Sequence, residues 1–117
     1  MEALSAQDKI ILYAFLRNLE GDIRDSLVND IQSASVIKRS SDGLIVRFSL
    51  LDYDRPEYKG QSPYLELRFV HEGRMIDAIL FQDQNRRLFE LEIIPLNNDI
   101  DVARFAFDEA EVMVTSA

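Results

Sequence analysis

A chain of 117 residues, 47% of them hydrophobic, is long enough to bury one core, so a single domain over residues 1–117 is expected and global disorder is not. The absence of cysteine excludes disulfide staples, thiolate metal sites, Fe–S clusters and a cysteine nucleophile. The net charge of −8 argues against a nucleic-acid or anionic-membrane surface and towards a basic partner.

That charge is unevenly placed. Residues 1–34 carry −3 and residues 35–87 carry +1, whereas residues 88–117 carry −6, with Arg104 as their only base. The N-terminus, Met-Glu-Ala-Leu-Ser, lacks a basic n-region, and the apolar run Ile10 to Leu16 is far shorter than the roughly 20 residues of a spanning helix. A soluble, cytoplasmic protein is expected.

Ser5, with Asp8 three positions on, has the form of a capping box. Ile11, Leu12, Phe15, Leu16 and Leu19 then recur at helical spacing, and Gly21 is placed to end the helix in the left-handed region. Asp22 and Asp25 suggest a second N-cap. Ile23, Leu27 and Ile31 carry a second helix to about Gln32.

The period then shortens to two. Val36 and Ile37 lead into Asp42-Gly43, a hairpin signal, and Leu44, Val46, Phe48 and Leu50 alternate with Ile45, Arg47 and Ser49. Asp52 to Pro63 holds Pro56, Gly60 and Pro63 and reads as a long loop. Leu65, Leu67 and Phe69 mark the next strand, Glu72-Gly73 turns it, and Ile76, Ala78 and Leu80 follow. Asp83-Gln84-Asn85 turns the chain again, into a strand with Phe89, Leu91 and Ile93 opposing Glu90 and Glu92 and closed by Pro95. Ala103, Phe105 and Phe107 alternate as a further strand would, a short helix through Val102, Phe105 and Glu109 being the alternative. Val112 to Thr115 has strand composition. The whole predicts an α+β fold in which an N-terminal helical hairpin packs on one face of a mostly antiparallel sheet of five to seven strands.

Catalytic equipment is sparse. His71 is the only histidine and precedes a turn, without a nucleophile or orienting partner in view. Glu90 and Glu92 share a strand face about 7 Å apart, a spacing that glycosidases use. Such enzymes draw the pair from different elements, however, and this chain has no tryptophan to stack a sugar. Asn97, Asp99 and Asp101 mimic the first ligands of an EF-hand loop, but Val102 stands where that loop needs glycine and Asp108 where it needs glutamate. Scattered single glycines form no phosphate loop, and Lys38-Arg39 and Arg86-Arg87 are too few for a nucleic-acid footprint. No enzyme activity, metal or cofactor is expected.

What remains points to binding. Tyr53, Tyr58 and Tyr64 accompany Arg55 in or beside the long loop, and tyrosine and arginine are enriched at interfaces. The stretch Asp83 to Ile93 reads D-x-x-x-x-L-F-E-L-E-I, and over about residues 5–95 the chain resembles small uncharacterised bacterial domains that open with a helical pair and close on such a strand. It is also similar in style to cytoplasmic immunity proteins, which bind a toxin domain and block it. That resemblance implies a protein-binding module neutralising a basic, nuclease-like partner and supplies no catalytic residues. The candidate partner-binding residues are Tyr53, Asp54, Arg55 and Tyr58 of the loop, with Glu90, Glu92, Asp99, Asp101, Asp108, Glu109 and Glu111 of the acidic third. The alternatives are a homodimeric module pairing through a sheet edge, and a small-ligand protein or enzyme with a pocket between helices and sheet.

Overall fold

Both halves of the capping box form. In the computed structural model, which describes residues 1–116, the Ser5 hydroxyl accepts from the Asp8 amide at 3.0 Å and the Asp8 carboxylate accepts from the Ser5 amide at 2.8 Å. They open helix α1 (Ala6–Arg17), whose inner face buries Ile11, Leu12, Phe15 and Leu16. Gly21 is left-handed, with φ +65°, but it begins the second helix and does not cap the first. Helix α2 (Gly21–Ser33) has Glu20 at its N-cap with no side-chain bond, so the expected cap at Asp22 is displaced. The sharp turn at glycine lets the helix start ahead of the first aspartate.

Six strands follow: β1 (Ala34–Arg39), β2 (Ile45–Leu50), β3 (Ser62–His71), β4 (Arg74–Gln82), β5 (Leu88–Pro95) and β6 (Glu111–Ser116). They form one sheet in the order β1-β2-β5-β4-β3-β6, antiparallel throughout. Tight turns build the β3-β4-β5 meander, and at the first of them Glu72 and Gly73 both take positive φ (51° and 75°), as a type I′ hairpin requires. The break in rhythm at residues 51–61 is a crossover. It carries the chain from β2 past two strands to β3, so that β2 lies beside β5, a Greek-key connection.

The helical hairpin covers one face of this sheet. Leu27 and Ile31 of α2 and the α1 residues above join Val46, Phe48, Phe69, Leu80 and Leu91 in a single core. Two buried carboxylates tie the layers together. Asp30 of α2 accepts from the Leu88 amide (3.0 Å) and Arg87 Nε (2.9 Å), and Asp8 of α1 takes a two-pronged contact from Arg39 of β1 (2.8 and 3.2 Å). Burial alone would raise the Asp8 carboxyl, but its bonds to Arg39 and Ser5 hold it below the usual range.

The strand expected over Ala103–Phe107 does not form. Asp101 caps a 3-10 turn, Val102–Arg104, by accepting from the Ala103 amide at 3.1 Å. Phe105 and Phe107 then stack edge to face, and Phe107 packs on Phe69 at 5.2 Å between ring centroids. The two rings lie on the sheet as part of its cover, and local turn bonds satisfy the backbone that a ladder would have used. Val112–Thr115 does belong to a strand, β6. Among the described residues no helix is long and apolar enough to cross a membrane.

Candidate partner-binding face

Among the described residues, the opposite face of the sheet has no helical cover. Cross-strand register places its side chains in rows: Arg47, Glu90 and Phe81; then Ile45, Glu92, Ile79 and Glu66; then Ile94, Asp77, Arg68 and Met113. The outer rows are internally neutralised. Arg47 lies 2.8 Å from Glu90, and Arg68 lies 2.8 Å from Asp77. The middle row differs. Glu92 takes part in no ion pair among the described residues, and it stands between Ile45 and Ile79. Partial burial, reinforced by the neighbouring Glu90 charge, pushes its carboxyl above the ordinary glutamate value.

Glu90, which shares the strand face of Glu92 and was a binding candidate, is only 6% exposed. A β-bulge explains this. Phe81 pairs with Glu90 and Gln82 with Leu88, so Phe89 is the extra residue of β5. Its ring leaves the face shared by Leu91 and Ile93 and lies between two guanidinium groups, Arg47 at 4.9 Å and Arg55 at 4.7 Å. Arg47, stacked on the Phe89 ring, pairs with Glu90. Beside them is a hollow of about 320 Å³ walled by Ile37, Arg47, Arg55, Tyr58 and Phe89.

Of the four loop candidates, two are committed to the protein itself. The Tyr53 hydroxyl donates to Asp83 Oδ2 at 2.6 Å, and Arg55 Nη1 donates to the same oxygen at 2.8 Å. Arg55 Nη2 also donates to the carbonyls of Phe48 and Leu88. Asp83 Oδ1 accepts from the amides of Asn85 and Arg87. Burial pushes the Asp83 carboxyl up, and these bonds, that of Tyr53 foremost, bring it below its usual range. Tyr53 is in turn pushed up by burial and by its bond to Asp83. Tyr58 (69% exposed) and Asp54 are left facing outwards.

Four of the remaining acidic candidates, Asp99, Asp101, Asp108 and Glu109, lie in the connection between β5 and β6. Asp99 pairs with Arg74 at 2.6 Å, and Asp101 lies 3.6 Å from Arg104. Glu109 lies 3.8 Å from His71, with Asp108 and Glu111 exposed nearby in the chain. The structure thus joins Arg55, Tyr58, Glu90 and Glu92 around one face, puts Glu111 at the far β6 edge of that face, and separates them from Asp99, Asp101, Asp108 and Glu109 in the β5–β6 connection. Arg47, Phe89 and Asp83 were not among the candidate binding residues read from the sequence. Their roles depend on β2 lying beside β5 and on the bulge, and neither follows from local pattern.

Other chemistry is thin. Asn97, Asp99 and Asp101 do not converge: the Asn97 amide oxygen accepts from Met75 N, while the two aspartates hold Arg74 and the Ala103 amide. Among the described residues no three His, Cys, Asp or Glu side chains are grouped to hold a metal ion. A cleft of about 560 Å³ opens between α2 and the β4–β5 turn and includes Asp22, Ser26, Tyr64, Gln82 and Asn85. Burial pushes the Tyr64 phenol upwards, and its hydroxyl donates to the Arg86 carbonyl at 2.7 Å, so it offers no ready base. No protein-family model matches the chain, and comparison with curated proteins and with solved structures finds no match to either.

Proposed function

We propose that the protein is a binding module that caps a basic protein partner with the open face of its sheet, in the manner of an immunity protein blocking a nuclease-like toxin domain. The observation that carries this reading is Glu92. A carboxylate without a cation, partly desolvated between two isoleucines, is costly in the free protein. A partner lysine or arginine would relieve that cost while its aliphatic stem covers Ile45 and Ile79. The surrounding surface suits the same partner. Exposed Ile37, Ile45, Ile94 and Tyr58 supply apolar contact, and the paired Arg47–Glu90 and Arg68–Asp77 rows add no competing net charge. The acidic group Asp108, Glu109 and Glu111 contributes a long-range attraction that brings a basic protein in.

The test is affinity capture on the immobilised full chain, with parallel columns carrying Glu92→Lys and Ile45→Asp. A basic protein retained by the wild type and lost from both variants is the expected result. Equal retention on all three columns, or retention of acidic proteins only, would reject this face.

A further inference from the structure

The two edges of the sheet are treated differently. At β1 the edge is occupied: Glu2 donates to the Val36 carbonyl at 3.0 Å and accepts from the Val36 amide at 2.8 Å. The β1–β2 register then shifts at Ile37, and Arg39 holds Glu2 and Asp8, so the strand is blocked and distorted along its length. At the other end β6 pairs with β3 alone, and among the described residues its outer edge has no partner. It carries less protection: its register against β3 shifts only at Thr115, near its C-terminal end. From Val112 to Thr115 there is no charge and no proline, and Glu111 is its single ionisable residue. Met113 on the open face is 47% exposed and Val114 on the helix face is 51% exposed. Apolar side chains thus stand bare on both sides of an unpaired edge.

We propose that β6 pairs antiparallel with β6 of a second copy, joining two sheets into one of twelve strands. The strand can pair with itself in a register that opposes all of its apolar residues to one another. A twofold axis normal to the sheet keeps equivalent faces together, so only residues of like parity can stand opposite each other. Centred on Met113, the pairing sets Met113 against Met113 on the open face and Val112 against Val114 on the helix face. Glu111 then comes opposite Thr115, the uncharged extra residue at the β6 register shift. No acid faces an acid, and the two Glu111 side chains lie about 13 Å apart along the strands, beyond a Debye length at physiological salt. That separation matters for a chain of net charge −8, because the uncharged stretch of β6 is where two copies can meet with least repulsion. A different strand would have to reproduce the same order of apolar residues with a neutral residue opposite Glu111. The second copy already has it. Pairing through one short strand buries less than a large obligate interface, so the dimer should be concentration-dependent.

The native absence of cysteine allows a clean test on the full chain. Sedimentation velocity should show the wild type passing from monomer towards dimer over a series from a few to several hundred micromolar. Met113→Lys, which sets two ammonium groups face to face at an exposed position, should remain monomeric at every concentration. Under mild oxidation Met113→Cys should give a disulfide-linked dimer, because directly opposed residues lie within the Cα separation a disulfide spans. Thr115→Cys should crosslink at least tenfold more slowly, its two copies being about 13 Å apart. A wild type that stays monomeric throughout, or a dimer undisturbed by Met113→Lys, overturns the pairing. Equal crosslinking of the two cysteine variants overturns its register.

Discussion

Arg55 Nη1 lies 2.8 Å from Asp83 Oδ2, and through that pair the crossover loop is fixed to the turn between β4 and β5. The other arm of the guanidinium donates to the carbonyls of Phe48 and Leu88 at 2.9 and 2.8 Å. The β2–β5 ladder is registered only as far as Arg47 opposite Glu90. Beyond it the two strands are held together by a side chain from a third segment.

Arg55→Ala should therefore destabilise the fold by about 3–5 kcal/mol, since it strands a buried carboxylate and two strand carbonyls. Arg55→Lys should recover only part of this, because one ammonium cannot reproduce the planar fork. Tyr58→Ala and Asp54→Ala, both on the exposed side of the loop, should each stay within about 0.5 kcal/mol. Urea denaturation of the four variants decides it. A Tyr58→Ala loss as large as that of Arg55→Ala would mean that the loop is held elsewhere. Replacing residues 54–61 by a short flexible linker should likewise cost far more than the ~1 kcal/mol of loop-closure entropy, because Arg55 goes with them.

On β5, Leu91 is wholly buried and Glu90 nearly so, but for different reasons. Leu91→Ala opens a cavity under the helices and should cost about 2–5 kcal/mol. Glu90→Ala removes a charge-assisted contact from Arg47, which can turn to solvent, and should cost about 1–2 kcal/mol. Equal denaturant midpoints for the two variants would reject this division of the strand.

Acid should unfold the protein through its buried aspartates. Asp8 and Asp83 titrate below their ordinary value in the folded state, so the folded protein binds fewer protons than the unfolded chain as pH drops. Their stabilisation is complete above the unfolded value of about 4 and is lost as pH falls through the lower folded values. Urea midpoints measured from pH 6 down to the acid limit should decline below about pH 4. Asp83→Asn should start less stable and decline less steeply; an unchanged slope would remove Asp83 from the linkage.

Much of the fold was legible because the determining signals are local. The capping box at Ser5, the helical spacing of Ile11 to Leu16, the Glu72-Gly73 turn and the alternation around Leu67 each lie within a few residues. The site was less legible because it depends on pairings distant in sequence. Arg47 meets Glu90 across 43 positions, and Asp83 binds Tyr53 across 30. Phe89 misled for a related reason: its alternation with Leu91 and Ile93 is regular in sequence, and a bulge moves it to the other face. Phe105 and Phe107 alternate as strand residues would, yet their backbone closes on itself in turns.

Asp108 and Glu109 are exposed just ahead of β6, and Glu111 is exposed at the β6 edge of the open face, three strands from Glu92 on β5, so they should act mainly on encounter. Replacing all three by lysine should leave the protein folded and slow association with the basic partner, most strongly at low salt. Stopped-flow association across a salt series is the measurement. A flat salt dependence in the wild type would reduce these carboxylates to a solubility role.

Glu92 gives the sharpest test, because its effects on stability and on binding should run in opposite directions. Its carboxyl titrates above the ordinary glutamate value, first through desolvation and then through the charge on Glu90. The folded protein therefore holds this proton more tightly than the unfolded chain does. Its ionisation costs stability as pH rises from the unfolded value, about 4.3, through the raised folded one. Glu92→Gln removes that cost, so at neutral pH the variant should be as stable as the wild type or more so. Its affinity for the basic partner should nevertheless fall by about tenfold or more, since a desolvated partner cation would lose its counter-charge. Binding should also be linked to protons: a partner cation lowers the Glu92 carboxyl, so near that group's pKa the wild type should release protons on binding and Glu92→Gln should release fewer. Calorimetry in two buffers of different ionisation enthalpy reads this release directly. A Glu92→Gln protein that binds as tightly as wild type, with the same buffer dependence, would show that the unpaired carboxylate is not where the partner docks.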